Sequence, residues 1–106
     1  MIEKTEQTFS VDIFMAGDVA QAKHVCREFC REVGLCVTVT ETAFIYTGGE
    51  EAGVRIGLVN YPRFPDTPHN ILNKAERLAR LLLDRLFQDS VLLVTRFDTK
   101  WITRRE

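Results

Sequence analysis

The sequence predicts an α+β two-layer sandwich in which two helices cover one face of an antiparallel sheet. Period-two and period-3.6 apolar patterns follow each other in the order β-α-β-β-α-β. A glycine-rich turn separates the two central strand patterns, which indicates a hairpin. Two right-handed crossovers around such a hairpin place both helices on the same face of the sheet.

The first strand and the first helix are defined by local signals. Residues 7–14 alternate between apolar and polar side chains, which predicts a strand. Asp18 and Gln21 then form a capping-box pattern, and Gly34 is a typical C-terminal stop. The helix between them carries one apolar stripe: Val19, Ala22, Cys26, Phe29, Cys30 and Val33.

The middle of the chain predicts two paired strands. Residues 35–46 are rich in β-branched and aromatic side chains, and Glu41-Thr42 is interpreted as a bulge or bend. Residues 48–53 are interpreted as the exposed tip of the hairpin, since glycine accepts the positive φ values of tight turns. The next strand runs over residues 54–59.

A second helix and one or two strands complete the predicted fold. Thr67 followed by Pro68 is a strong helix start, and the buried stripe is Ile71, Ala75, Leu78, Ala79, Leu82 and Leu86. Residues 91–97 form the next strand, and residues 100–103 form a possible short fifth strand. This order of elements predicts a ferredoxin-like β-α-β-β-α-β topology.

Composition indicates one globular domain over residues 1–106, with residues 1–6 expected to be flexible. The net charge of −1 argues against a protein that works by coating nucleic acid or an anionic membrane. The amino-terminal residues lack an apolar signal region, and no apolar run approaches the ~20 residues of a membrane span. Three cysteines do not form a secreted disulfide framework, so we expect a cytoplasmic protein.

His24, Cys26, Cys30 and Cys36 have residue types that zinc prefers. However, Cys26 and Cys30 lie on the apolar stripe of the first helix, and free cysteine commonly packs as a small hydrophobic residue. We therefore predict no metal, no cofactor and no catalytic residue. No serine, histidine or carboxylate motif of a known enzyme class is present in the sequence.

A candidate ligand site lies in the segment after the third strand. In the predicted topology this segment lies at the same end of the sheet as the start of the first helix and the start of the second helix. Arginine beside aromatic residues and a helix N-terminus would suit a small anionic or carboxylate ligand. The candidate residues are Asp18, Asn60, Tyr61, Arg63 and His69, with Asp66 nearby.

The sheet face away from the helices is expected to be partly apolar. Such a patch on a small domain commonly marks an interface, so we predict a homodimer through this face. The terminal segment with Trp101 folding over the face is the alternative. The predicted interface residues are Phe14, Val59, Tyr61 and Phe97.

Two functions follow from these features. The first is a small homo-oligomeric module that binds a ligand or another protein without catalysis. The second is an enzyme of the dimeric α/β-barrel kind, acting on a small organic substrate. An enclosed pocket lined by a histidine, aspartate or tyrosine would favour the enzyme.

Overall fold

The computed structural model describes residues 1–105, and these residues form one five-stranded sheet and two helices. The elements in chain order are β1 (Ser10–Ala16), α1 (Val19–Val33), β2 (Thr38–Tyr46), β3 (Gly49–Val59), α2 (Pro68–Arg85), β4 (Ser90–Val94) and β5 (Thr99–Thr103). The strand order is β2-β3-β1-β4-β5, and every neighbouring pair is antiparallel. The predicted α+β class is confirmed, together with the fifth strand.

Both helices begin at the predicted caps. The Asp18 carboxylate accepts a hydrogen bond from the backbone N–H of Gln21 at 3.0 Å, and Val19 is the first residue of α1. The Thr67 hydroxyl accepts one from the backbone N–H of Asn70 at 3.2 Å, with Pro68 at the first helical position. These side chains satisfy backbone donors that have no partner within the helix.

The core lies between the helices and one face of the sheet. Val11, Ile13 and Met15 of β1 are fully buried there, and so are Leu78 and Leu82 of α2. Removal of apolar surface from water stabilises the fold by roughly 25 cal/mol per Å². The alternate buried side chains of β1 and the apolar stripe of α2 therefore hold the sheet and the helices together, as their sequence patterns predict.

Two predictions for the hairpin are wrong. Glu41 and Thr42 pair in regular register with Val54 and Gly53, so β2 has no bulge there. The turn comprises only Thr47 and Gly48, where Gly48 has a φ of 87°. Residues 49–53, which we expected in the tip, belong to β3.

The predicted strand over residues 91–97 also ends too late. β4 stops at Val94, and the Thr95 hydroxyl accepts hydrogen bonds from the backbone N–H groups of Phe97 and Asp98, each at 3.2 Å. These bonds fold the chain into the turn before β5. Phe97 consequently lies in the β4–β5 turn and not on a strand.

Among residues 1–105, no helix is long and apolar enough to cross a lipid bilayer.

Candidate functional site

The open sheet face is the face of the sheet that the helices leave uncovered. Pairing register brings Phe14 of β1 beside Leu92 of β4, and Leu92 beside Trp101 of β5. Side chains at paired positions lie on the same face. The three residues therefore form an apolar row across three strands. Trp101 is thus a residue of β5 and lies beside Leu92. It does not fold over Val59, which lies at the other end of the open sheet face, beside Ser10.

A cavity of about 260 Å³ opens on this face, where β1 ends and where β4 begins. We call it the sheet-end cavity. Its aromatic lining comes from four separate segments of the chain: Phe14, Phe44, Phe87 and Trp101. Small-molecule sites are commonly concave and combine apolar walls with a few polar groups. This cavity has aromatic walls, and polar groups make up the larger share of its lining.

Phe44 reaches the cavity because β3 has a glycine beneath it. A Cβ atom on Gly53 would come within 2.7 Å of the Phe44 Cδ2 atom and within 2.8 Å of the Met15 carbonyl oxygen. Real Cβ atoms are not found at such distances. The missing side chain at position 53 therefore lets the Phe44 ring lie directly on the sheet, at the edge of the cavity.

Charged groups of both signs border the sheet-end cavity. Glu51 lies opposite Phe44 in the β2–β3 register, and Asp89 precedes β4. Arg105 also borders the cavity, with its Nε atom 3.6 Å from an Asp89 carboxylate oxygen. Carboxylates beside aromatic faces attract organic cations, and a guanidinium group can bind a carboxylate.

A second ion pair lies further along the open sheet face. The Arg55 guanidinium donates a hydrogen bond to the Asp12 carboxylate at 3.1 Å and lies 5.9 Å from the centre of the Phe14 ring. This hydrogen bond to Asp12 raises the pKa of Arg55 above its ordinary value. Beyond the pair is a cavity of about 280 Å³, which Val59 and Tyr61 help to line.

The structure does not bring the predicted ligand site together. Asp18 follows the end of β1, whereas the backbone N–H of Asn60 donates to the Phe9 carbonyl, just before the start of β1. β1 and β3 are antiparallel, so β3 ends beside the beginning of β1. Seven residues of strand separate the two groups by about 20 Å. Asp18 therefore does not share a site with the other candidates.

Asn60 has a structural role that sequence reasoning did not identify. Its side chain is buried, donates a hydrogen bond to the Gln7 carbonyl at 2.8 Å and accepts one from the backbone N–H of Asp66 at 3.0 Å. The nitrogen and the oxygen of the amide thus connect the end of β3 to the residues before β1 and to the residues before α2.

Asp66 lies at the centre of the hydrogen bonds that hold this segment. Its carboxylate accepts from the Asn70 side chain at 2.9 Å, from Lys74 at 2.9 Å and from the backbone N–H of Thr67 at 2.8 Å. These bonds lower the pKa of Asp66 to about 2, with the bond from Asn70 as the largest cause.

The remaining candidates lie on the surface near Asp66. The rings of Tyr61 and Phe64 are stacked with their centres 5.0 Å apart, and Arg63 is exposed. The His69 ring is 3.3 Å from the Asn73 amide nitrogen. Binding of an anionic ligand by Tyr61, Arg63 and His69 stays a prediction.

Cys26 is buried in the core, and burial raises the pKa of its thiol to about 12. Metal binding requires the thiolate. Cys30 is half-buried, and Cys36 is exposed. In residues 1–105 no group of three or more histidine, cysteine, aspartate or glutamate side chains is arranged to hold a metal ion.

No family model matches the chain, and no curated protein matches it. Two solved structures have a similar fold. A phage SAM lyase in its apo state matches with a TM-score of 0.75 and 18% identity, covering 100% of this chain and 98% of that one. A phage SAM lyase in complex with S-methyl-5'-thioadenosine matches with a TM-score of 0.67 and 17% identity, over the same shares of the two chains.

These matches contradict the prediction of a non-catalytic interaction or ligand-binding module, because both matched structures, which share the fold over the full chain, are of a phage SAM lyase, an enzyme. The second hypothesis, an enzyme acting on a small organic substrate, agrees better with them. Sequence reasoning missed Phe44, Glu51, Phe87 and Asp89. The alternation of Glu51, Gly53 and Arg55 was a signal that β3 begins before residue 54.

Proposed function

We propose that this protein is a lyase that acts on S-adenosylmethionine and releases S-methyl-5'-thioadenosine. The observation that carries the proposal is the composition of the sheet-end cavity, where aromatic rings and the carboxylates of Glu51 and Asp89 border one space. The fold shared with a phage SAM lyase supports it.

The substrate has three groups that this cavity can recognise. Its sulfonium carries a positive charge, which the faces of aromatic rings and nearby carboxylates attract. Its adenine ring can stack on an aromatic side chain. Its amino-acid carboxylate can bind the Arg105 guanidinium, which would then exchange its ion pair with Asp89 for one with the substrate.

Release of the thioether requires that the bond between sulfur and the amino-acid fragment breaks and that its electron pair stays on sulfur. In exchange, a proton leaves the adjacent carbon of that fragment, and the electron pair of this C–H bond forms a C=C bond. The sulfonium cation thereby becomes neutral, and the bond opens without added water in a lyase reaction. Glu51 and Asp89 are the carboxylates of the cavity that can hold the cation or accept a proton from the amino-acid fragment. Phe14, Phe44 and Trp101 give the apolar surroundings that a neutral product prefers.

The test compares two adjacent carboxylates that point in opposite directions. Glu51 borders the sheet-end cavity, whereas Glu50 pairs with Ile45 on the other face of the hairpin. Purified protein is incubated with S-adenosylmethionine, and S-methyl-5'-thioadenosine is measured by liquid chromatography. We expect product from the wild type and from Glu50→Gln, and a loss of about 10²-fold or more in kcat/KM for Glu51→Gln. Absence of product from the wild type would reject the proposal.

We assign the sheet to the ferredoxin-like topology, which the order β2-β3-β1-β4 and the two helices support. A cytoplasmic location is likewise a proposal, supported by the three free thiols of Cys26, Cys30 and Cys36. Free thiols persist in reducing compartments.

Association of two copies through the open sheet face is a further proposal. It is supported by Val59 and Tyr61, which stay about half exposed there. Phe14 borders both the Asp12–Arg55 ion pair and the sheet-end cavity. Phe97 is not part of the proposal, because it lies in the β4–β5 turn.

A further inference from the structure

The two helices end in the same backbone conformation but with different residues. α1 ends at Val33 and is followed by Gly34, whose φ of 70° is in the left-handed region. α2 ends at Arg85. Leu86 follows it, and then Phe87, which has a φ of 55°. Within residues 1–105, Phe87 is the one non-glycine residue with a positive φ.

The hydrogen bonds after α2 define this position as the one that glycine usually occupies. The backbone N–H of Gln88 donates to the Leu83 carbonyl at 3.0 Å, and that of Phe87 donates to the Asp84 carbonyl at 3.4 Å. This pair of bonds is the Schellman motif, whose left-handed residue is most often glycine. A side chain with a Cβ atom is disfavoured there by steric crowding.

Packing in the fold does not explain the phenylalanine. Its side chain is 91% exposed, so it contributes little to the core. Neither the backbone nor the core therefore favours a large aromatic residue at position 87. Strained residues are retained chiefly where a function uses them.

The position of the side chain indicates such a function. Phe87 lines the sheet-end cavity, and so does Trp101, which is 58% exposed. The α2–β4 connection thus holds an exposed ring at the mouth of the cavity, in a conformation fixed by the end of a helix. The backbone that carries the ring is already ordered, so stacking on a ligand has to order only the side chain.

We propose that Phe87 is a binding residue that stacks on the adenine ring of the nucleoside ligand, at the expense of backbone strain in the free protein. This inference rests on the proposed function and deepens it. Stacking of a base on an aromatic side chain is worth about 1–3 kcal/mol, or roughly 5- to 150-fold in affinity.

The experiment measures stability and ligand affinity of the same variants. Phe87→Gly removes the ring and restores the usual residue of the motif. We expect its Tm to be equal to that of the wild type or higher by up to about 5 °C, and its affinity for S-methyl-5'-thioadenosine to fall at least about 5-fold by titration calorimetry. Phe87→Tyr keeps a ring and should keep the affinity. Phe97→Ala removes another exposed ring, which lies in the β4–β5 turn and does not line the cavity, and should leave the affinity unchanged.

Each other outcome overturns a different statement. A Phe87→Gly protein that binds the thioether as well as the wild type does would overturn the role of Phe87 and leave the proposed function intact. A clearly lower Tm would show that Phe87 serves the fold. A wild type that neither binds the thioether nor forms it from S-adenosylmethionine would reject the proposed function, and the stacking role with it.

Discussion

The ring of Phe44 occupies the space that a side chain on Gly53 would need. β2 and β3 pair so that Phe44 lies opposite Glu51, diagonal to Gly53 on the same face. The aromatic wall of the sheet-end cavity thus depends on a glycine two residues from the carboxylate to which we assign a role in binding.

Gly53→Ala is expected to move the Phe44 ring away from the sheet. Overpacking of this kind costs about 1–3 kcal/mol in the free energy of unfolding, measured with denaturant. The variant should fold but bind S-methyl-5'-thioadenosine more weakly. In a Phe44→Ala background the same substitution should cost less, since only the contact with the Met15 carbonyl remains. An unchanged stability of Gly53→Ala would contradict the packing described here.

The elements were predictable because their signals are local. Asp18 and Thr67 cap helices through residues three positions away, and the apolar stripe of α2 repeats along a single element. The predicted hairpin tip was too long because the prediction used only the local glycine pattern. Three glycines between residues 48 and 53 indicate a long turn, whereas Gly49 and Gly53 serve the packing of Tyr46 and Phe44.

The candidate site was less predictable because its residues meet only through tertiary pairing. The sheet-end cavity takes residues from all five strands and from the α2–β4 connection. The error over Asp18 has the same origin, since the end of β3 lies beside Ser10 and not beside Ala16. Phe87 carries no sequence signal, because the position that it occupies normally selects glycine.

The buried thiol of Cys26 predicts a stability that depends on pH. The folded-state pKa of about 12 lies above the ordinary value of 9.0, so the thiol keeps its proton in the folded protein at pH values where the unfolded chain has lost it. This contribution is complete below pH 9 and is lost as the pH rises from 9 through about 12. Cys26→Ala should cost on the order of 1 kcal/mol at pH 7 through lost burial and should reduce the loss of stability above pH 9.

Alkylation provides an independent check on the thiols. At pH 8 the exposed Cys36 should react first with iodoacetamide, and Cys26 should react only on unfolding. Mass spectrometry of the digested protein identifies the modified residue. Rapid labelling of Cys26 in the folded protein would mean that it is not a core residue.

The lowered pKa of Asp66 predicts that the folded protein loses stability in acid. Its pKa of about 2 in the folded protein lies below the ordinary value of 3.8, because Asn70, Lys74 and the Thr67 N–H donate hydrogen bonds to the carboxylate. The folded state therefore binds the proton less readily than the unfolded chain does. The stabilisation is present above about pH 4 and is lost as the pH falls through about 2.

Asp66→Asn is the variant that tests this relation. It should lower the stability at neutral pH and make the stability less dependent on pH between about 4 and 2, as measured by urea unfolding at each pH. Asp98→Asn, in the β4–β5 turn, is a matched control on the same chain. Parallel curves for Asp66→Asn and the wild type would show that the fold does not lower the pKa of Asp66.

The last prediction concerns association through the open sheet face. Val59 is 48% exposed at the end of β3, and the core beneath it is formed by other side chains, such as Leu58. An exposed apolar side chain gains roughly 25 cal/mol per Å² when a partner covers it, and a two-fold interface buries the same patch twice. Val59→Glu should therefore give folded monomers in light scattering, with an unchanged circular dichroism spectrum. Val59→Thr, which adds no charge, should keep more of the association. Wild-type protein that is already monomeric at tens of micromolar would exclude this interface, because a charge at position 59 would then have no association to disrupt.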